Sequence, residues 1–135
     1  MITTSEYVVV DANVIVYLIT RSPVAATFEP YLIGKTGLIS FQTVAELRLI
    51  ARRRRWGERK SEELEQRLRQ LVVVPATDEI TRTWAELMYA QMVDGSRIEP
   101  PDAWVAATAI VYGCPVLTND RKDFERVRGL TLLPP

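Results

Sequence analysis

The chain alternates short apolar runs with longer segments of helical periodicity, and this alternation constrains its fold more than any other feature. Each run is a few residues long and rich in β-branched residues or leucine, which is typical of a buried strand. Parallel strands need crossover connections, usually helices, so the alternation favours a parallel sheet covered by helices on both faces. The predicted strands are residues 7–10, 38–41, 71–74, 116–118 and 130–132.

Capping and breaking residues set the bounds of the predicted helices. Thr43 opens one helix and Glu46 follows three residues later, which is the spacing of a capping box. Asp78 is the predicted N-cap of another, and Gly113 ends the helix that Asp102 begins. The predicted helices cover residues 13–20, 24–33, 43–57, a segment from residue 61, 78–93 and 102–112, and residues 34–37 form a turn.

Length and composition predict one domain over residues 1–135. The longest apolar runs are far shorter than the ~20 residues that a bilayer-spanning helix needs. The first residues, MITTSEY, lack the basic region that leads into the apolar stretch of a secretory signal. The lone cysteine, Cys114, cannot form an internal disulfide, which suits a reducing compartment. We therefore expect a cytoplasmic protein with no membrane partner.

Two scarcities narrow the chemistry that the chain can perform. It has no histidine and one cysteine, which excludes Ser-His-Asp and Cys-His nucleophilic sites and zinc sites built from those residues. Catalysis must therefore use carboxylates, lysine or arginine, hydroxyl groups, or a metal ion held by oxygen atoms. The formal net charge is zero, so attraction to nucleic acid would need a local basic patch.

Four acidic residues lie at the junctions of the predicted strands and helices. Asp11 follows the first strand, Glu46 lies in the first turn of the helix after the second, Asp102 starts an alanine-rich helix, and Asp120 follows the strand PVLT. In open α/β sheets, ligands bind in the crevice at the carboxyl ends of the strands. These four residues are therefore candidates for one shared site.

Each acid also has an ordinary structural explanation when it is taken alone. Asp11 and Asp102 could be N-caps, Glu46 a capping-box partner and Asp120 a turn residue. Helical spacing nevertheless places Glu46 and Asp102 on the apolar faces of their helices, where a solvated charge is unfavourable. Four carboxylates in one crevice would repel one another unless a cation neutralised them. Hard oxygen ligands suit Mg²⁺, with Mn²⁺ as a substitute.

The segments that carry these acids together resemble the PIN domain, and closely the toxin ribonucleases of VapBC toxin–antitoxin pairs. The resemblance runs through VVVDANVIVY and SFQTVAELRLI to PPDAWVAATAIVYGCPVLTNDRKDF, which is nearly the full length. It implies a three-layer α/β/α fold with a parallel sheet of about five strands. It also implies that Asp11, Glu46, Asp102 and Asp120 form a catalytic metal-binding pocket, with Asn13, Thr118 and Asn119 as supporting residues.

The same resemblance implies an activity and partners. The expected reaction is hydrolysis of RNA phosphodiester bonds by a water activated by Mg²⁺ or Mn²⁺, which leaves a 5′-phosphate and a 3′-hydroxyl. The expected partners are an RNA substrate, a cognate VapB-like antitoxin that silences the site, and a second copy of the chain. With the antitoxin, the homodimer would form a larger hetero-oligomer.

An arginine-rich stretch, LRLIARRRRWGERK, is a candidate RNA-binding surface. If the helix continues through this stretch, its arginines form one stripe along the helix, and that stripe would contact RNA phosphates. The alternative is a solvated face that pairs with Glu62, Glu63 and Glu65 of the next helix. The stripe consists of Arg48, Arg52, Arg55 and Arg59.

Three other functions remain as alternatives. A phosphatase of the haloacid dehalogenase type also places an aspartate after the first strand, but it needs a second aspartate where this chain has Asn13. A degenerate PIN-like domain would act only as a binding module, although such domains usually lose some of the acids. A PIN nuclease could also act in RNA processing without a toxin role.

Overall fold

A computed structural model describes residues 6–95 and 97–135 and contains a five-stranded parallel sheet. The strand order is β3-β2-β1-β4-β5, so the first strand lies at the centre. Val9 of β1 pairs with Leu38 of β2 on one side and with Val116 of β4 on the other. The strands are β1 (Tyr7–Val10), β2 (Thr36–Ser40), β3 (Val72–Val74), β4 (Val116–Leu117) and β5 (Leu132–Leu133).

Helices connect the strands, and they form the outer layers of the predicted three-layer fold. Short 3-10 helices at Glu29–Tyr31 and Arg121–Asp123 supplement them. None of the helices among the described residues is long and apolar enough to cross a membrane. The α-helices are α1 (Ala12–Thr20), α2 (Ala25–Phe28), α3 (Phe41–Arg53), α4 (Glu58–Arg69), α5 (Asp78–Asp94) and α6 (Pro100–Tyr112).

The core is divided by the sheet because successive strand residues face opposite sides. Val8 and Val10 pack with apolar residues of α1 to α4 on one face. Val9 packs on the other face, mainly with α6 and with Ile80 of α5. Both faces are covered, which explains why the strands are continuous apolar runs rather than alternating ones.

Several predicted element bounds are wrong, and each has a local cause. Ser40, not Thr43, caps α3, because its hydroxyl accepts a hydrogen bond from the Gln42 N–H. The helix therefore starts at Phe41, which was predicted to be in a strand, and Glu46 lies in its second turn rather than in a capping box. Thr77, not Asp78, is the N-cap of α5, and its hydroxyl accepts from Ile80 N–H.

The remaining differences shorten or shift elements by a few residues. The predicted helix over 24–33 is a short α2 followed by a 3-10 turn, since Pro30 lacks the N–H that a longer helix needs. The helix after β2 ends at Arg53 rather than near residue 57, and α4 begins at Glu58 rather than Ser61. The last strand is Leu132–Leu133 rather than 130–132.

The strand order creates a crevice beside β1. From β1 the chain moves outward to β2 and β3, and it then returns to the opposite side of β1 for β4 and β5. The connections that leave β1 and β4 therefore diverge, as at the ligand-binding switch point of other open α/β sheets. Asp11 follows β1 at this point, and residues 118–120 follow β4.

Candidate metal centre

The four predicted acids meet in one pocket at the carboxyl ends of β1 and β4. The pocket, which we call the acid pocket, has a volume of about 370 Å³. Asp11, Glu46, Asp102 and Asp120 all line it, although they come from widely separated parts of the sequence. Asp123, Arg54 and Tyr17 complete its polar lining together with Asn13.

Asp11 is buried and held by three hydrogen bonds. One carboxylate oxygen accepts from the Ala12 N–H at 2.9 Å, at the N-cap position of α1. The other oxygen accepts from the Thr118 hydroxyl at 2.7 Å and from the Asn13 amide at 3.1 Å. Burial raises the pKa of Asp11, these hydrogen bonds oppose the rise, and the nearby Asp120 charge adds to it. The cap role and a role in the site are thus compatible, because the oxygen that caps α1 accepts one hydrogen bond and keeps a second lone pair.

Asn13 connects the two strand ends. Its amide nitrogen donates to Asp11 and also to Asp120, at 3.0 Å. Its amide oxygen accepts from the Asn119 backbone N–H at 3.1 Å. The Thr118 hydroxyl makes a second link, since it donates to Asp11 and accepts from the Asp120 N–H at 2.9 Å. The loop after β4 is therefore fixed relative to the start of α1.

The Asn119 side chain lies slightly further out. Its amide donates at 2.8 Å to the hydroxyl of Tyr17, which lines the acid pocket. The Tyr17 ring in turn stacks on Phe28, with ring centroids 5.9 Å apart. Asn119 therefore ties the loop to α1 rather than contacting an acid through its side chain.

Glu46 and Asp102 enter the pocket from helices on opposite faces of the sheet. Asp102 lies in the first turn of α6, after two prolines, and Glu99 rather than Asp102 occupies the N-cap position. Burial raises the pKa of Asp102 to about 7, and the charges of Asp123, Asp11, Glu46 and Asp120 add to the effect. Burial also raises the pKa of Glu46, as do Asp11 and Asp120, whereas Arg53 opposes the rise.

Asp123 is a pocket residue that sequence reasoning missed. It follows Asp120 by three residues and ends a 3-10 turn, which brings both acids to the same side of the loop. Burial, Asp120 and Glu99 raise the pKa of Asp123, and its own charge acts on Asp102. The spacing within NDRKD could have indicated it, because residues three apart share a face of a single helical turn.

The predicted arginine stripe does not form. The helix ends at Arg53, Arg55 has a left-handed backbone with φ of 54°, and Arg59 belongs to α4. Arg48 donates two hydrogen bonds to Glu65, at 2.9 and 3.2 Å, as the solvated-face alternative expected. The arginine of this stretch that lines the acid pocket is Arg54, which the stripe did not include.

The donor set of the acid pocket fits a hard divalent cation. Its acidic and amide groups offer oxygen ligands, and burial, together with the repulsion between the acids, raises the pKa values of Asp11 and Asp102. In the described part of the chain, no three acidic side chains form a ready-made cage for an ion. Mg²⁺ does not require one, since it commonly binds one or two carboxylates and keeps several waters.

Comparison with known proteins identifies the family of this chain. The family model of the PIN domain matches residues 8–130. The chain belongs to the PIN domain family. A curated relative, the VapC ribonuclease Y4jK of Sinorhizobium fredii, is 33% identical over 138 residues, which cover 95% of this chain and 96% of the relative.

Solved structures show the same fold. VapBC2 from Rickettsia felis, bound to a DNA fragment from its promoter, matches with a TM-score of 0.81 and 25% identity over 93% of this chain and 96% of that one. DNA-bound VapBC from Salmonella typhimurium matches with a TM-score of 0.80 and 23% identity over the same shares of the two chains. The predicted three-layer PIN-like fold with a five-stranded parallel sheet is confirmed.

Proposed function

We propose that this PIN domain protein is the toxin ribonuclease of a toxin–antitoxin pair and hydrolyses RNA phosphodiester bonds with a divalent cation. The observation that carries the proposal is the convergence of Asp11, Glu46, Asp102 and Asp120 in one pocket at the switch point of the sheet. The VapC ribonuclease relative and the VapBC structures support it.

The acidic residues would hold Mg²⁺, or Mn²⁺ in its place, and Asp11 and Asp102 are the proposed principal ligands. When bound, the cation polarises the phosphate and lowers the pKa of a water. Asn13 and Thr118 orient Asp11 and Asp120, and thereby fix where the cation and the phosphate lie. Outer-shell hydrogen bonds of this kind strongly affect metal affinity and activity.

Glu46 is the carboxylate best suited to accept the proton of the attacking water. It is only half-buried, and the rise in its pKa brings it closer to the operating pH, as a general base requires. The water oxygen forms a bond to phosphorus, the bond from phosphorus to the 3′ oxygen breaks, and that oxygen takes up a proton. The products carry a 5′-phosphate and a 3′-hydroxyl.

Arg54 would offset the negative charge that the substrate brings to an already acidic pocket. It lines the acid pocket at the end of α3. A guanidinium group binds phosphate oxygens with two hydrogen bonds, so it suits the developing charge of a phosphate under attack.

Cleavage of total RNA by the purified chain tests the proposed reaction. With Mg²⁺ or Mn²⁺ we expect new RNA ends that carry 5′-phosphates, and mapping those ends identifies the target. Asp11→Asn and Asp102→Asn should abolish cleavage and keep the fold. Asp78→Asn is the matched control, because Asp78 is exposed on α5 and pairs with Arg82 away from the pocket. Equal cleavage by all four proteins would contradict the proposal, and no cleavage with any divalent cation would favour the binding-module alternative.

A toxin role predicts a cognate antitoxin, a homodimer, and a larger assembly of the two. Expression of the chain alone should arrest growth of a bacterial host, and co-expression of the neighbouring small open reading frame should relieve the arrest. Asp102→Asn should be harmless. If the host grows normally while the protein is abundant and cleaves RNA, the toxin role is wrong. The chain would then be a nuclease with another role, such as RNA processing.

A further inference from the structure

A second pocket lies beside the acid pocket and shares a wall with it. Asp123 lines both pockets. The second pocket, which we call the arginine pocket, has a volume of about 430 Å³ and lies between the C-terminal half of α5 and residues 123–128. The two pockets are therefore neighbours at Asp123.

Three arginines line this pocket: Arg97, Arg126 and Arg128. None of them takes part in the ion pairs found among residues 6–95 and 97–135. The three arginines outnumber the two acidic residues that line the pocket, so the net charge of the pocket favours an anionic ligand. Guanidinium groups are well suited to binding phosphate.

The pocket also offers surface for a base. Tyr89 lines it and is 67% exposed, and the neighbouring Val93 is 69% exposed. An exposed aromatic ring beside unpaired arginines is the combination that binds single-stranded nucleic acid, because the ring stacks on a base while the arginines contact phosphates. An apolar patch without those charges would not indicate a nucleic acid.

Both walls of the pocket are fixed to the rest of the fold. Phe124 is fully buried in the core, and its carbonyl accepts a hydrogen bond from the Val127 N–H at 3.0 Å, which holds the segment that carries Arg126 and Arg128. On the other wall, the Ile98 N–H donates to the Gln91 side chain and so ties the Arg97 segment to α5. The backbone segments that carry the three arginines are therefore tied to the rest of the fold.

We propose that the arginine pocket is a nucleotide subsite, which binds the base and phosphate of an RNA residue next to the scissile phosphate. The inference rests on the proposed nuclease function and adds the part of the surface that the substrate follows. RNA is favoured over a protein segment for two reasons. The pocket contains arginines that form no ion pair with the described residues and an exposed aromatic ring, and it lies next to the proposed reaction centre.

Binding of RNA by the full chain carrying Asp102→Asn tests the subsite without cleavage. The probe is a fluorescent single-stranded oligoribonucleotide of about 12 residues, within the usual range of such sites. Arg126→Gln with Arg128→Gln should weaken binding on the order of tenfold and reduce the salt slope by about 0.7 for each phosphate that is no longer neutralised. The control, Arg69→Gln with Arg82→Gln, removes the same charge from arginines that are already paired, and should change binding less than twofold.

Tyrosine variants separate stacking from charge. Tyr89→Ala should weaken binding roughly tenfold and Tyr89→Phe should restore it, since base stacking needs the ring and not the hydroxyl. Tyr112→Ala, at an exposed tyrosine that lines neither pocket, should bind like the parent. Failure of Phe to restore binding would contradict a stacking role.

The outcomes distinguish this subsite from the proposed catalysis. If the arginine-pocket variants bind RNA as the controls do while the wild-type chain cleaves RNA, the subsite is wrong and the nuclease function stands. If the wild-type chain never cleaves RNA but the Asp102→Asn chain binds it through Arg126 and Arg128, the subsite stands and the catalytic proposal fails. Unchanged RNA binding with loss of antitoxin binding or of self-association would instead make the pocket a protein interface and overturn the proposal.

Discussion

Asp102 shows what crowding does to a single carboxyl group. Burial and four neighbouring acids raise its pKa from 3.8 to about 7, so in the absence of a cation it is half-protonated near neutral pH. The folded protein then holds a proton that the unfolded chain would release. The proposed metal site is thus also a source of pH-dependent instability.

This instability gives a prediction for the protein in a chelator. Because the folded pKa of Asp102 exceeds the unfolded value, the folded state binds more protons, and the free energy of unfolding should fall as pH rises from about 4 to about 7. Asp102→Asn should flatten this fall, and Asp78→Asn should leave it unchanged. Urea unfolding at a series of pH values measures the effect, and a parallel fall in all three proteins would contradict it.

Thr118 and Thr108 form a matched pair of buried threonines, each 1% exposed. The Thr118 hydroxyl donates to Asp11, whereas the Thr108 hydroxyl donates to the Trp104 carbonyl within α6. We expect Thr118→Val to lower cleavage about 10- to 100-fold, since it removes a hydrogen bond that orients a proposed ligand. Thr108→Val should cost about 1 kcal/mol of stability and little activity. RNA cleavage and urea unfolding of both variants check this, and similar losses of activity would assign Thr118 a purely structural role.

At the scale of single residues, the sequence predicts which side chains reach the pocket where a local pattern is enough to place them. The four acids could be selected because each follows a strand or lies on an apolar helix face. The resemblance to PIN domains implies Asn13 as a supporting residue, but its hydrogen bond to Asp120 joins residues 107 positions apart, which no local pattern indicates. Asp123 was missed because its place in the pocket follows from a 3-10 turn in a loop, where no long periodic pattern exists.

At the scale of elements, the ends of helices limited the sequence predictions. Residues 44–60 contain no proline, so nothing in the pattern predicted that α3 ends at Arg53 and that Arg55 adopts a left-handed backbone. Trp84 of α5 stacks on Trp104 of α6, with ring centroids 4.8 Å apart. Met92, near the end of the helix that carries Trp84, is 79% exposed.

The early end of α3 leads to a prediction about its last arginines. Arg54 lines the acid pocket, whereas Arg52 lies two residues earlier, is exposed and lines no acidic site. Arg54→Ala should lower kcat/KM about tenfold, which corresponds to about 1.4 kcal/mol, because a charge beside the phosphate is lost. Arg52→Ala should have less than a twofold effect. Steady-state cleavage of one mapped RNA site measures both, and equal effects would show a general contribution of charge rather than a specific one.

At the scale of the whole molecule, the strand order decides which residues meet. The central position of β1 places Asp11 between the connections to β2 and to β4, and helices on both faces contribute Glu46 and Asp102. The alternation of strands and helices predicted a parallel sheet, but it could not order the strands. The resemblance to PIN domains added the number of strands, about five, but not their order, which the structure supplies.

The residues of the proposed metal site come from elements on both faces of the sheet. Metal binding should therefore raise the free energy of unfolding of the whole protein. Mg²⁺ or Mn²⁺ at 100 times its dissociation constant should stabilise the fold by about 2.7 kcal/mol, since the unfolded chain does not hold the acids together. Asp11→Asn and Asp102→Asn should lose most of this gain, and Asp78→Asn should keep it. Thermal unfolding with and without the cation measures the shift. An equal shift in all variants would place the ion elsewhere.

The distance along the chain between the two halves of the pocket also governs when activity can begin. Thr118 and Asp120 reach back 107 positions to Asp11 and Asn13. At about 5–20 residues per second, a ribosome makes most of this polypeptide before the segment that closes the pocket exists. The proposed nuclease is therefore inert while it is being translated, and a truncated product that lacks β4 and β5 would be harmless. A cell would therefore meet the proposed activity only after residues 118–120 have been made and folded against α1.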